Sequence, residues 1–220
     1  MLKGDGQKIM DISKISGYIK NEFLQAPKSH DWDHIQRVYQ LCIRIGKKEN
    51  ADMQVVKLAA LLHDIGRKEQ DASKGHLCHA QIGAIKAQNI LFRYHIAPEI
   101  IDQVVYCIKT HRFRRGEKPT SLEAKVLFDA DKLDSIGAIG IGRAFFFAGE
   151  IGAKVHNKEI DLDNSQPYTE EDTAYREFMV KLQKIKSLML TEEGKKIAAG
   201  RHTFMVNFFE RLKQEVEGLC

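Results

Sequence analysis

Residues 61–66 read Leu61-Leu62-His63-Asp64-Ile65-Gly66, a histidine–aspartate pair closing the apolar run Val55, Val56, Leu58, Ala59, Ala60, Leu61, Leu62. The run is greasy on almost every side, which predicts a central buried helix rather than a surface one. Burying an imidazole and a carboxylate together is costly unless something pairs with them. A bound metal ion is the usual partner. Taken alone, the common dipeptide is better read as a satisfied core histidine beside an aspartate that caps a neighbouring helix. The choice depends on what else converges on it.

Two further residues do. His34 lies on the buried stripe of its helix, because Val38 and Leu41 follow at i+4 and i+7. Asp131 points inward in the same way, with Ala124 and Leu127 preceding it at i−7 and i−4. His63 and Asp64 diverge by about 100° around their helix, so a shared ion must sit in the angle between them. That angle needs ligands from other helices, and His34 and Asp131 are the suppliers. His79 opens the next helix, with Gly83 one turn on, where a missing side chain would leave room for a ligand. His111 closes the helix after that.

The rest of the chain reads as helical. The 220 residues are 43% hydrophobic and 29% charged, the composition of an ordinary globular protein with one good core. A formal charge of +4 is too mild and dispersed to argue for nucleic acid, but suits a small anionic substrate. Cys42, Cys78, Cys107 and Cys220 form no Cys-x-x-Cys pair, so a reducing cytoplasmic location is expected. No stretch approaches about 18 consecutive apolar residues, so no membrane span is expected. Helices are predicted over 12–24, from Asp33 (as N-cap), over the central run with Gly66 as a stop, over 78–92, and from Pro98 to His111. Residues 67–76 read as a loop. Thr120-Ser-Leu-Glu123 has the form of a capping box opening a helix through Ser135. GAIGIGRAFFFAGE (137–150) lacks the strand and glycine spacing of a dinucleotide fingerprint and reads as close helix packing, with Phe145–Phe147 as core or oligomer contact. Residues 152–168 read as a long loop, and two amphipathic helices are predicted over 169–190 and 192–217.

The stretches HDWDHIQRV (30–38), LLHDIGR (61–67), HAQIGA (79–84), KTHR (109–112) and FDADKLDSIGAIGIGRAF (128–145) together resemble the HD-domain superfamily of metal-dependent phosphohydrolases. The closest likeness is to small bacterial HD hydrolases, some of which act on nucleoside triphosphates. The resemblance implies an all-α fold, an HD-domain helical bundle with a C-terminal helical extension. One HD domain is expected over 1–220, its metal-binding core at about 28–148 and the extension at about 165–220. It implies metal ligation by His34, His63, Asp64 and Asp131. One ion is expected; His79 and His111 would either hold a second or contact a phosphate or water. A histidine and carboxylate set suits Mn²⁺, Fe²⁺, Mg²⁺, Co²⁺ or Ni²⁺.

The expected chemistry is hydrolysis of a phosphate ester or anhydride by a metal-activated water, with a nucleotide as the favoured substrate. Asp64, Arg67 and Asp134 are the candidate catalytic residues. Asp134 lies one turn beyond Asp131 and either orients a water or ligand or pairs with a nearby Lys. Arg67, Lys68, Arg112, Arg115 and Lys132 are the candidate phosphate contacts, and Phe113 or Phe128 would meet a base. Asp129, on the other side of its helix, reads as structural. Two rival functions use the same residues: a di-iron oxygenase and a non-catalytic metal-binding regulatory module. A cyclic-dinucleotide phosphodiesterase is disfavoured, since no Gly-Tyr-Pro follows the HDIG. The expected partner is a small phosphorylated substrate; a homo-oligomer is compatible, a nucleic acid or membrane partner is not expected.

Overall fold

The apolar run around 55–62 is the axis of the molecule. The computed structural model describes residues 12–23, 32–73, 75–112, 118–157, 160–162 and 164–220, and among them every regular element is helical. In chain order these are α1 (Ile12–Glu22), α2 (Trp32–Glu49), α3 (Met53–Leu62), α4 (Arg67–Ala72), α5 (His79–Arg93), α6 (Pro98–Thr110), α7 (Leu122–Leu133), α8 (Gly137–Glu150), α9 (Ala174–Val180), a 3-10 helix (Leu182–Leu188) and α10 (Glu192–Val216).

Helix α3 is short, and nearly every side chain it carries is buried, from Val55 to Leu62. It is enclosed by α2, α6 and α7, with α1 at one side. Each fully buried Leu or Ile of this core contributes about 1.5–3 kcal/mol. Asp52 caps the helix, accepting from Gln54 N at 2.8 Å, while its own N–H donates to Glu123 at the head of α7. α5 and α6 pair as a helical hairpin, with Pro98 in the first turn of α6 as its fixed φ favours.

Several boundaries differ from the sequence expectation. Gly66 does not stop the chain in a loop; it is a tight turn from which α4 restarts at once. A Cβ at Gly66 would run into the His79 carbonyl and lie 2.6 Å from Gly83 N. Gly66 therefore lets the turn press on the first turn of α5, while a Cβ at Gly83 would meet Gly66 N and His63 O at ordinary contact distances, so that position faces the crossing and not open space for a ligand. Asp33 lies inside the first turn of α2, not at its cap. The cap of α7 is Ser121, whose Oγ accepts from Ala124 N at 3.2 Å. Thr120 instead meets the Tyr106 hydroxyl, and Glu123 is taken by Asp52. The helix expected over 169–190 is broken into α9 and the 3-10 helix.

The C-terminal elements close over one flank. α10 packs on α8, the 3-10 helix, α7 and α2. Its Phe209 stacks on Phe178 (ring centroids 4.6 Å apart), with Phe145 and Phe208 around them. Asp129 fixes the entry to α10. This buried carboxylate accepts from Leu190 N, Thr191 N at 2.8 Å and Thr191 Oγ1 at 2.6 Å. The structural reading of Asp129 thus acquires a definite partner. Burial, ahead of these hydrogen bonds, raises its carboxyl above the usual range. No helix among the described residues is long and apolar enough to cross a membrane.

Candidate metal centre

Five elements deliver side chains to one buried point. His34 comes from the start of α2, His63 and Asp64 from the turn after α3, His79 from the first residue of α5, His111 from the end of α6, and Asp131 from α7. The four imidazoles and Asp64 are essentially inaccessible to solvent, while Asp131 is 19% exposed.

The histidines form two facing pairs. His34 Nε2 lies 3.3 Å from His63 Nε2, and His79 Nε2 lies 3.2 Å from His111 Nε2. Neither contact is a hydrogen bond, because the second nitrogen of every ring is already committed. His63 Nδ1 donates to Ala60 O at 2.9 Å and His111 Nδ1 to Ile108 O at 2.6 Å, each one turn back on its own helix. His34 Nδ1 donates to Asp134 Oδ2 at 2.8 Å. His79 Nδ1 donates to Gln70 Oε1 at 2.8 Å, an atom fixed as the amide oxygen because Arg112 also donates to it at 2.9 Å. Four Nε2 atoms therefore face inward, two by two. Neutral imidazoles are what the environment favours: burial first, and for His111 the neighbouring His63 next, lowers His63 and His79 and pushes His111 down to about 3.

Carboxylates complete each pair. Asp131 Oδ1 stands 3.7 Å from His34 Nε2 and 3.9 Å from His63 Nε2. Asp64 straddles the two pairs. Its Oδ2 is 3.7 Å from His34 and 3.9 Å from His63; its Oδ1 is 3.1 Å from His79 and 3.8 Å from His111. Burial would raise the Asp131 carboxyl, but the Lys132 ammonium, then His63, His111 and His34, hold it well below the usual range. Converging lone pairs and carboxylates repel one another unless a cation lies among them, so the donor set fits a divalent ion. The groups His34–His63–Asp131 and Asp64–His79–His111 could each hold one.

The basic residues divide. Arg67 places Nη2 3.1 Å from both Asp64 oxygens, and its Nε is buried without a hydrogen-bond partner. Lys132 pairs with Asp131 at 2.9 Å, and Arg112 is held by Gln70 beside His79. Lys68 is exposed and takes no part in these contacts. Arg115 and Phe113 lie outside the described residues, and Phe128 is 3% exposed, so it cannot offer a face to a base. Asp134 is corrected in role. Its oxygens accept from His34 Nδ1, Arg37 (2.7 Å) and Arg143 (2.8 Å), so it backs His34, and its cationic partners are arginines, not a Lys.

Gln70, Arg37 and Arg143 were missed by sequence reasoning. Arg37 sits one turn after His34, and Arg143 is the one charged residue between Gly137 and Gly149. Gln70 sits one turn after Arg67, a signal visible only once 67–72 is known to be helical.

Comparison with known proteins agrees with this geometry. The family model described as HD domain matches residues 31–136. The uncharacterized protein YpgQ of Bacillus subtilis is 33% identical over 217 residues, covering 97% of each chain. The crystal structure of Bacillus subtilis YpgQ in complex with ADP superposes with a TM-score of 0.73 at 32% identity, over 94% of this chain and 95% of that one. An HD-superfamily hydrolase from Bacillus thuringiensis gives a TM-score of 0.75 at 30% identity, over 94% and 96%. With its paired histidines and the aspartate between them in the matched region, the chain belongs to the HD-domain family.

Proposed function

We propose that this protein is a metal-dependent phosphohydrolase that cleaves a phosphate ester or anhydride of a nucleotide. The observation that carries the reading is the pairing of two histidine groups across Asp64 beneath Arg67, whose buried Nε lacks a partner. The likeness to hydrolases and to a protein crystallised with ADP supports it.

His34, His63, Asp64 and Asp131 would hold one divalent ion (Mn²⁺, Fe²⁺, Mg²⁺, Co²⁺ or Ni²⁺), and His79 and His111, with Asp64 shared, a second. When bound, the ion supplies Lewis acidity that polarises a phosphoryl oxygen and makes a water acidic. Arg67 takes a phosphate oxygen on Nε while Nη2 stays on Asp64, which sets the phosphate against the metal centre. Lys132 and Arg112 offset the charge that develops on the phosphate. Asp134 and Gln70 keep His34 and His79 in the tautomer that presents Nε2.

The test is a phosphatase and pyrophosphatase panel over nucleotides with each metal under anaerobic conditions, alongside metal analysis. Phosphate or pyrophosphate release should vanish in folded His63→Ala and Asp64→Ala variants. Turnover retained in those variants refutes the reading. The paired donor set also suits a di-iron oxygenase, and O₂ consumption without phosphate release would select that function. Bound metal without any turnover would select a regulatory module.

A further inference from the structure

Beside the metal centre lies a cleft of about 540 Å³ whose lining includes none of the metal-centre side chains. That volume falls within the range of small-molecule sites, roughly 300–1,000 Å³. Arg37 and Arg143 line the cleft, and both donate to Asp134, which also accepts from His34 and so links the cleft to the metal centre. Ser135 lines the cleft and donates its hydroxyl to the Lys132 carbonyl at 2.7 Å, so cleft and metal centre adjoin along the end of α7.

Part of the lining is aromatic. Phe146 is 44% exposed and Tyr168 75% exposed, and Tyr168 meets Phe147 edge to face at 5.8 Å. Tyr168 is held at a φ of 63°, a left-handed conformation uncommon outside glycine. Its N–H donates to Asp172, which Arg176 clamps at 2.7 Å. The ring is thus displayed to the cleft by a segment tied down through buried charges, while most of its surface stays wet.

The charges of this cleft are balanced. Arg37, Arg143, Arg176 and Lys181 line it together with Asp33, Asp172 and Glu177, and Asp134 is bonded to the first two arginines. A polyphosphate would find no excess of positive charge here. A flat, nearly neutral heterocycle would find aromatic faces to stack on, and both donors and acceptors for its edges. The cationic groups suited to phosphate, Arg67, Lys132 and Arg112, lie at the metal centre instead.

We propose that this cleft is the nucleobase pocket: it takes the heterocycle of a nucleotide whose phosphates lie at the metal centre. The inference rests on the nucleotide phosphohydrolase reading, and two measurements separate their fates. The first is calorimetric binding of adenosine, guanosine, cytidine and uridine to the chelator-treated protein. The second is the ratio of KM for the matching nucleoside triphosphate to KM for tripolyphosphate, which has no base. At least one nucleoside should bind. Phe146→Ala and Tyr168→Ala should weaken that binding and raise the KM ratio roughly tenfold, the size expected for losing one base–aromatic stack. Val155→Ala, an exposed apolar control elsewhere, should do neither. Absence of nucleoside binding, or aromatic variants indistinguishable from the control, overturns the pocket even when tripolyphosphate is hydrolysed. Nucleoside binding that the aromatic variants lose, in a protein with no turnover, overturns the hydrolase reading and leaves the pocket standing.

Discussion

Acid should loosen the metal-free protein through His111, and the size of the effect follows from the geometry. The ring is 1% exposed and its pKa is pushed from 6.5 down to about 3, by burial first and then by the neighbouring His63, against the pull of Asp131 and Asp64. In the unfolded chain the imidazole titrates near 6.5. Its folded-state pKa is depressed, so between about pH 3 and 6.5 the unfolded state binds the extra proton. The stability His111 contributes is complete above about pH 6.5 and drains away as the pH falls towards about 3. Well inside that window each pH unit removes about 1.4 kcal/mol, and between pH 6.5 and 4.5 the loss is about 2 kcal/mol. Against a typical total of about 5–15 kcal/mol, that is a large fraction. Urea unfolding of chelator-treated protein across this range measures it. His63 and His79, also lowered by burial, steepen the wild-type curve. The comparison that isolates His111 is therefore His111→Gln, whose stability should fall less steeply by about 1.4 kcal/mol per pH unit. Parallel curves for wild type and variant would refute the claim that a neutral, desolvated His111 is part of the fold.

Other perturbations have equally definite outcomes. Asp134→Asn should lower metal affinity roughly 10–100-fold in competition with a chromophoric chelator while circular dichroism stays unchanged, and an unaltered affinity would remove Asp134 from its supporting role. Gly66→Ala should cost about 1–3 kcal/mol or more in urea unfolding, because the new methyl meets backbone on two sides, and it should weaken metal binding by displacing His79 from Asp64. Asp129→Ala strands two backbone N–H groups and the Thr191 hydroxyl; the expected loss is about 2–4 kcal/mol, read by thermal unfolding, and a loss under 1 kcal/mol would mean that α10 docks without it.

The sequence carried the site further than it carried the fold's details. The greasy run ending at Leu62 and the stripes under His34 and Asp131 set the inward direction of three ligands by helical phase alone. The restart at α4 was not legible, because a glycine that stops a helix and one that lets two backbones cross look alike until the crossing partner, here His79 and Gly83, is known. Nor was the straddling role of Asp64. Periodicity places it about 100° from His63, but the helix ends at Leu62 and the turn decides where its two oxygens go. Arg37, Arg143 and Gln70 act across tertiary contacts, and no local pattern announces a partner 97 residues away.

The anchors behind the four imidazoles have a consequence of their own. His63 and His111 lean on helix carbonyls, but His34 is backed by an anionic carboxylate and His79 by a neutral amide. A carboxylate pushes electron density into the ring it holds, and an amide does so far less. The two halves of the centre are thus unequal in donor strength, although they are assembled from the same kinds of residue. A metal titration should therefore resolve a tighter and a weaker step, with the half beside Asp134 filling first.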